Sequence, residues 1–430
     1  MLPKNTKFSN FSRALHSHST CFRLDNEAQI APLMKKLATG GFLARGAGLS
    51  YSDCCLNNKG VIIDTSRLNH LLSFDESTGL LVCQSSVCFA DLFLIHPDFI
   101  PPVIPGTLAA TLAGGIANDI HGKNNHQQGS FGEHVQWLEL QLGEDTYHCS
   151  KETNAELFFA TIGGLGLTGL IKRVAIKMRQ ASQFVEARSE KYFNWNALLE
   201  RMQDKGVEYD YQVAWLDLLN GPKALLSLAN HCEKTNLSRQ GQYKVPKLPV
   251  RFINPWIMKL FNRLYFKVHS EKKRILYLSH FNNPLDSIKN WNHLYGRNGL
   301  LQFQALFYKD LAPDALERLI EIIRNCQATP TLAVLKYFTQ SGTGLLSFAE
   351  PGFTLAIDFI NNKQAKKAIL AMNEWITEKE GKIYLAKDIL LNKEQFNRQY
   401  SKHEDFKNVV KRYQTKIRSD LSLRLGISND

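Results

Sequence analysis

The chain has 430 residues, 44% of them hydrophobic, and a formal net charge of +12. This length exceeds what one simple core supports, so two or three domains are expected, and the hydrophobic content is that of an ordinary globular protein. The positive charge indicates an anionic partner, which could be nucleic acid, a phosphorylated ligand or an acidic membrane surface.

No targeting or spanning segment is predicted. The first twenty residues lack the unbroken apolar run of a signal peptide, and the most apolar region, 92–117, is interrupted by His96, Asp98 and four prolines. The eight cysteines form no C-x-x-C pair, which favours a reduced compartment and a cytoplasmic protein. No metal site is predicted.

The first third of the chain alternates helix and strand signals. Residues 27–40 have helical spacing and meet a stop at Gly40 and Gly41, and 42–44 is a short strand. The strand enters the sequence RGAGLSYSD (45–53), whose alternating glycines favour a nest of amide groups for phosphate oxygens. A plain hairpin turn is the alternative interpretation of RGAG.

The segment 105–133, PGTLAATLAGGIANDIHGKNNHQQGSFGE, combines a small-residue lead with a dense polar run. Small side chains let a flat or charged group approach the backbone, and so many polar groups do not suit a core. We therefore predict a pocket wall, with a cofactor on one side and a substrate on the other. A long irregular loop beside a tight helix crossing is the alternative.

Further elements follow in order. Strands are predicted at 60–69, at the start of 80–96, which then turns into a helix, and at 134–142 and 170–178, with a helix at 155–163. Residues 164–169 match G-x-G-x-x-G, but a helix precedes them and a strand follows. They therefore predict a close-packed turn and no dinucleotide fingerprint.

The second half predicts an antiparallel sheet backed by helices. Strands are expected at 211–219, 277–281, 301–308, 331–338 and 353–359, and helices at 314–326 and 363–381. Residues 382–388 read as a strand ending in a lysine beside an acid, and 406–427 as a basic helix. Residues 244–274 interleave Lys, Arg and aromatics, which suits a membrane-docking flap, a cationic loop or, less well, single-stranded nucleic acid.

Together these segments resemble flavoproteins of the vanillyl-alcohol oxidase type. The likeness rests on ARGAGLSYSD, DIHGKN followed by GSFG, AELFFATIGGLGLTG, LLQFQ, FTLAIDF and YLAKD, and covers roughly 25–425, least well from about 220 to 275. It implies an α+β fold. A two-lobed FAD-binding domain would span 1–180, a substrate-binding domain 181–375, and a C-terminal segment, 376–430, would return to the FAD domain.

The resemblance also implies a set of site residues. The FAD contacts it implies are Ala44, Arg45, Gly46, Ala47, Gly48, Leu49, Ser50, Tyr51, Ser52, Asp53, Cys54, Gly106, Thr111, Leu112, Ala113, Gly114, Asn118, Asp119, Ile120, His121, Ile171 and Tyr384. Substrate contacts would be Lys123, Trp215, Gln302, Gln304 and Lys336, and catalytic residues Lys387, His121 and Tyr51.

Three departures from the family are noted. Leu49 stands where covalently flavinylated members carry histidine, so we expect non-covalent FAD. Ala356 replaces a cysteine and Asn282 a tyrosine.

The chemistry implied is oxidation of a sugar hydroxyl. Lys387 would stabilise the negative charge of the reduced flavin, unless it forms a surface ion pair with Asp388. The general base could be His121 or a lysine of lowered pKa. Lys123 and Lys336 could meet a phosphate, and the two glutamines could bond sugar hydroxyls.

The expected reaction is FAD-dependent oxidation of the 2′-hydroxyl of a polyprenyl-phosphoryl ribose, the first half of its epimerisation to the arabinose form. A short-chain dehydrogenase/reductase would complete it, and 244–274 would touch the inner membrane surface; no nucleic-acid partner is predicted. The alternatives are another sugar alcohol, an aldonolactone or a glycolipid as substrate, or a noncatalytic anion- or nucleic-acid-binding protein.

Overall fold

The molecule is built on three large sheets. They are seen in a computed structural model that describes residues 2–37, 41–233, 235, 237, 243–246 and 253–428. The first sheet has the strand order Lys4–Ser9, His16–Arg23, Val61–Asp64, Phe42–Arg45. The pairing of Lys4–Ser9 with His16–Arg23 is antiparallel, and the other two pairings are parallel.

The second sheet is antiparallel throughout. Its order is Leu71–Asp75, Leu80–Gln84, Leu170–Lys177, Val135–Leu142, Asp145–Ser150. The helices of this half of the chain are Ile30–Lys36, Phe89–Leu92, Leu112–Ala117, Asn125–Gln128 and Ala155–Thr161. Apolar side chains of both sheets join one continuous core, which fixes the glycine-bearing loops that lie at its edge.

The third sheet has eight antiparallel strands. Their order is Arg274–Tyr277, Phe184–Tyr192, Lys223–His231, Tyr211–Asp217, Pro330–Phe338, Gly352–Ile360, Leu300–Phe307, Lys382–Ile383. Trp195–Gln203, Ala312–Asn325 and Lys363–Glu378 are three of the helices packed with it. Two small pairings join Phe99–Ile100 to Arg179–Gln180 and Tyr243–Lys244 to Ile288–Lys289. The other helices are Pro255–Val268, Leu278–Asn282, Lys393–Gln399, His403–Arg412 and Asp420–Arg424.

Strand register places a set of polar residues on one face of this third sheet. Gln302 lies opposite Asp358, and Gln304 lies opposite Ala356. Ala356 also faces Val334, which in turn faces Trp215 on the next strand. Because alternate residues of a strand share a face, Lys336 lies on the same side. We call this side the substrate face.

The α+β prediction is confirmed, and so is the antiparallel sheet with helices packed against it. The turn at 164–169 is close-packed as predicted, since a Cβ on Gly164 would lie 2.0 Å from the Ala160 carbonyl oxygen. The division into domains stays a prediction. The expected helix at 27–40 is the helix Ile30–Lys36 after a 3-10 turn, and its proposed stop at Gly40 lies outside the described residues.

Three predicted elements are wrong in detail. Residues 278–281 are helical, because the strand ends at Tyr277 and the helix Leu278–Asn282 follows it directly. The strand expected over 382–388 is only Lys382–Ile383, and Lys387 lies in the turn that follows. The basic helix expected over 406–427 is two helices, because Ile417 leaves the helical path to pair with Phe42.

Among the described residues, no helix has the length and apolarity needed to cross a bilayer.

The C-terminal helix Asp420–Arg424 is anchored by a buried charge network. Arg424 donates to both Asp53 carboxylate oxygens, at 2.9 and 2.8 Å, and to Asp388 Oδ2 at 3.0 Å. Both carboxylates are buried, and the pKa of Arg424 is raised because Asp388 and Asp53 outweigh its desolvation. Removal of the guanidinium would leave two buried carboxylates without their cation.

We therefore expect Arg424→Met to lower the free energy of unfolding by about 3 kcal/mol in urea titration. Arg412→Met is the matched control, since Arg412 pairs with Glu156 at an exposed site and its loss should cost less than about 1 kcal/mol. Equal effects of the two substitutions would contradict the anchoring role.

Candidate active site

The loop after the strand Phe42–Arg45 lies against the glycine-rich helix. Gly48 has φ of +65°, a conformation that suits glycine, and a Cβ on Gly46 would lie 2.5 Å from Thr111 Oγ1. Thr111 caps the helix Leu112–Ala117 by accepting from the Gly114 amide at 3.3 Å. The two glycine-bearing segments identified in the sequence therefore meet in space.

A turn from the far end of the chain completes this junction. The Ser50 hydroxyl donates to the Ala386 carbonyl at 2.6 Å, and the Tyr384 hydroxyl donates to the Asn118 carbonyl at 2.9 Å. These bonds place Lys387 Nζ 3.9 Å from the centre of the Tyr51 ring.

The alternative of a surface ion pair between Lys387 and Asp388 is wrong. Asp388 is buried and takes Arg424 as its partner, while Lys387 lies over an aromatic face.

His121 lies in an aromatic enclosure at the substrate face. Its ring is 4.9 Å from Phe338, 5.6 Å from Phe348 and 5.1 Å from Tyr384, measured between centroids. Its Nε2 is 2.9 Å from the Gln304 side-chain nitrogen. Its buried Nδ1 meets no hydrogen-bond partner among the residues that the structure describes.

Three lysines share this site, and burial lowers the pKa of each. Burial and then Lys336 lower the pKa of Lys123 to about 7, although Lys123 Nζ donates to the Phe281 carbonyl at 2.6 Å. Burial and then Lys387 lower the pKa of Lys336 to about 8. Burial lowers the pKa of Lys387. Burial, and then the charges of Lys336 and Lys387, hold the pKa of His121 well below its usual range. Such a desolvated cationic cluster favours an anionic ligand.

Asp358 is a site residue that sequence reasoning missed. Gln302 Nε2 donates to its carboxylate, and burial raises the pKa of Asp358 against the opposing effects of Gln302 and Lys387. Its negative charge in turn opposes the lowering of the Lys387 pKa. A lone acid in the apolar strand FTLAIDF was the available signal, because a buried carboxylate needs a partner.

Some predicted contacts have their side chains turned into the protein. Asp53 is bound to Arg424, and Asp119 accepts from Ser130 and Ser347 at 2.8 and 2.5 Å. Leu112 is fully buried in the core. These three residues can contact a ligand only through their backbone. Their side chains are therefore removed from the predicted set of FAD contacts.

The remaining predicted residues are distributed around the junction. Ala44 lies in the strand Phe42–Arg45, Ala47, Leu49 and Ser52 lie in the loop that follows it, and Cys54 lies in the 3-10 turn Asp53–Cys55. Arg45 is turned toward the Ser9 carbonyl and the Phe8 ring. Ala113, Asn118 and Ile120 are half-buried along the glycine segment, and Ile171 is buried on the second sheet. Trp215 lies on the substrate face, with its ring centroid 5.0 Å from that of Tyr265. It therefore contacts the helix Pro255–Val268, to which Tyr265 belongs.

The junction fits a flat, partly anionic cofactor. Gly106 has open space where a Cβ would project, and Gly114 meets only the Thr111 hydroxyl there. His121 Nδ1, Gln302 Oε1 and Asp358 Oδ2 are buried and lack partners within the described part of the chain. Buried polar atoms of this kind call for a hydrogen-bonding ligand.

Comparison with known proteins identifies the class. Residues 20–149 match the FAD binding domain family. The chain is 30% identical over 395 residues to the decaprenylphosphoryl-beta-D-ribose oxidase of Mycolicibacterium smegmatis, covering 85% of this chain and 84% of that one. It is 26% identical to an uncharacterised Streptomyces coelicolor protein, over 76% of this chain and 95% of the other. A putative D-arabinono-1,4-lactone oxidase of Neurospora crassa is 24% identical over 49% of this chain and 38% of its own length.

The chain therefore belongs to the PCMH-type FAD-binding oxidoreductases of the vanillyl-alcohol oxidase type. It is an FAD-dependent oxidoreductase similar along most of its length to the mycobacterial ribose oxidase named above. The rival hypothesis of a noncatalytic binding protein is wrong. The amides of 46–50, the open edges of Gly106 and Gly114, and the turn at Tyr384–Lys387 are the groups that would hold FAD, which supplies the oxidising ring when bound.

We expect Gly48→Val to reduce bound FAD at least about 10-fold, because a branched side chain strains a left-handed residue and meets the Arg45 guanidinium. The measurement is flavin absorbance per mole of purified protein. Gly143→Val is the matched control, since Gly143 has φ of +56° in open space at a hairpin tip. Equal flavin loss in both variants would show general strain and contradict the assignment of this loop.

Proposed function

We propose that this protein oxidises the 2′-hydroxyl of a polyprenyl-phosphoryl ribose to the 2′-keto sugar. The observation that carries the proposal is the half-buried trio of Lys123, Lys336 and Lys387 beside the amides of Gln302 and Gln304. Lys123 and Lys336 suit a phosphate, and the amides suit sugar hydroxyls. The similarity to the mycobacterial decaprenylphosphoryl-beta-D-ribose oxidase supports the same substrate class.

A phosphate group would offset the repulsion between the lysine cations of this cluster. Lys123 is held from one side by the Phe281 carbonyl, and Lys336 projects from the substrate face. An anion between them favours both ammonium forms, which raises each pKa toward its ordinary value. An uncharged aldonolactone would leave these cations unpaired, so the charge pattern favours a phosphorylated sugar over that alternative.

The two glutamines differ in how much hydrogen-bonding capacity they offer. Gln304 already contacts His121 and donates to Thr354 Oγ1 at 3.2 Å. The Gln302 amide nitrogen donates to Asp358, while Gln302 Oε1 has no hydrogen-bond partner in the described ranges. Gln302 can therefore accept from a sugar hydroxyl, and Gln304 orients the imidazole.

Lys387 is the better general base of the two kinds the sequence left open. His121 is enclosed by aromatic rings, and its very low pKa makes it a weak proton acceptor. Lys387 has a lowered pKa, so a neutral amine is available near physiological pH. On accepting the hydroxyl proton it becomes an ammonium group, which stabilises negative charge developing in the site. Tyr51 stays neutral, since burial raises its pKa well above the usual range.

The product is a keto sugar still attached to its lipid phosphate. We propose that a short-chain dehydrogenase/reductase then reduces it to the arabinose form, which requires a nicotinamide cofactor that this chain has no need to bind.

Polyprenyl-phosphoryl ribose in detergent should bleach the bound flavin without oxygen, because the phosphate and the sugar then meet the lysines and glutamines together. The measurement is the stopped-flow loss of flavin absorbance. Free ribose, D-arabinono-1,4-lactone and a glycolipid without phosphate serve as matched compounds and should react at least about 100-fold more slowly, a loss of about 2.7 kcal/mol of transition-state binding. A flavin that stays oxidised with the ribose lipid and bleaches with the lactone would overturn the substrate assignment.

The pH profile of kcat tests the role of Lys387. Activity should rise with pH as the amine loses its proton, and Asp358→Asn should move this limb to lower pH, because removing a negative charge lowers the Lys387 pKa further. Glu133→Gln, a partly exposed carboxylate bonded to Thr343, is the control and should leave the limb in place. A shift of the limb to higher pH in Asp358→Asn would contradict this role.

A further inference from the structure

The helix Pro255–Val268 is seated on the substrate face by one of its sides. Met258, Asn262 and Phe266 are buried. Asn262 donates to the buried Asp217 carboxylate at 2.9 Å, and Tyr265 packs against Trp215. Trp215 and Asp217 are alternate residues of one strand, so both contacts lie on the substrate face.

The opposite side of this helix is apolar and turned to solvent. Six large side chains are about half exposed or more, namely Trp256 (83%), Ile257 (49%), Leu260 (59%), Phe261 (51%), Leu264 (51%) and Val268 (73%). At 3.6 residues per turn these positions fall within a sector of about 140°. A helix of a monomeric soluble protein normally turns a polar side to water, so this patch marks an interaction surface.

The apolar sector is bordered by cations. Lys259 and Arg263 lie along one edge of this sector, Lys267 lies just inside that edge, and the helix carries no acidic residue. Lys191 and Lys223 place their Nζ atoms 5.6 and 5.8 Å from the Phe266 ring at the rim. An apolar helix side with Lys and Arg along one edge matches the interface of an anionic bilayer, where acyl chains lie beneath negatively charged headgroups.

A second copy of the chain is a poorer occupant. A two-fold contact through this surface would join two helices that each carry a cationic rim and no acidic residue, and like charges oppose association. Anionic lipid neutralises the same rim. The charge of the surface, together with the net charge of +12 on the whole chain, therefore selects lipid.

We propose that the outward side of the helix Pro255–Val268 docks on the surface of an anionic phospholipid bilayer. The aromatic chain Phe261–Tyr265–Trp215, with centroid separations of 5.7 and 5.0 Å, then runs from the bilayer to the substrate face. The inference rests on exposure and charge alone and does not require the proposed sugar substrate.

The test is flotation of the FAD-loaded protein with vesicles of phosphatidylglycerol and phosphatidylcholine in equal amounts. The wild type should bind them, release in high salt and ignore pure phosphatidylcholine. Trp256→Glu with Leu260→Glu should lower the bound fraction at least about 10-fold, because two apolar anchors are lost and two negative charges added. Leu94→Glu, at another exposed leucine (71%), is the matched control and should bind as the wild type does.

Flavin absorbance of each variant checks that it is folded. Lack of wild-type binding to anionic vesicles, or equal binding by the double variant, would overturn the proposal. So would a wild-type dimer in sedimentation that the double variant converts to a monomer, since the patch would then be a contact between copies. Flavin bleaching by the ribose lipid in detergent reports the proposed function separately, so the two can fail independently.

Discussion

The hydrogen bond from the Ser50 hydroxyl to the Ala386 carbonyl is the contact on which the site depends. It joins residues 336 positions apart and brings the Lys387 turn to the first glycine loop. Arg424 strengthens the same junction by binding Asp53 on one side and Asp388 on the other. Arg424 also donates to the Asp388 carbonyl at 3.3 Å, so it holds the backbone directly after Lys387.

This junction holds several charged side chains close together in a site that is partly shielded from solvent. The substrate face gathers Lys336 and, through the turn, Lys387, while Lys123 arrives from the glycine segment. Asp358 lies behind them as a buried acid with one oxygen bonded to Gln302. Such an arrangement is unfavourable in an isolated protein and favourable around an anion, so binding and charge are coupled in this fold.

The sequence predicted the fold class and most strands well because their apolar periodicity is strong, as in the strand Leu300–Phe307. It failed at 277–281, where aromatic residues suit both strand and helix and only packing decides. It could not show that Lys387 faces Tyr51, because that depends on contacts between distant segments. Asp358 and Arg424 were missed for the same reason, since a lone charge in a chain does not reveal its partner.

The placement of Lys382–Ile383 at the edge of the third sheet has a consequence for biosynthesis. A nascent chain emerges from its amino end, and the two amino-terminal sheets and seven strands of the third precede this edge. The glycine loop therefore lacks two of its distant partners, Ala386 for Ser50 and Arg424 for Asp53, until translation has passed them. A ribosome stalled before the Arg424 codon would present a nearly finished scaffold in which Asp53 and Asp388 still lack their shared cation.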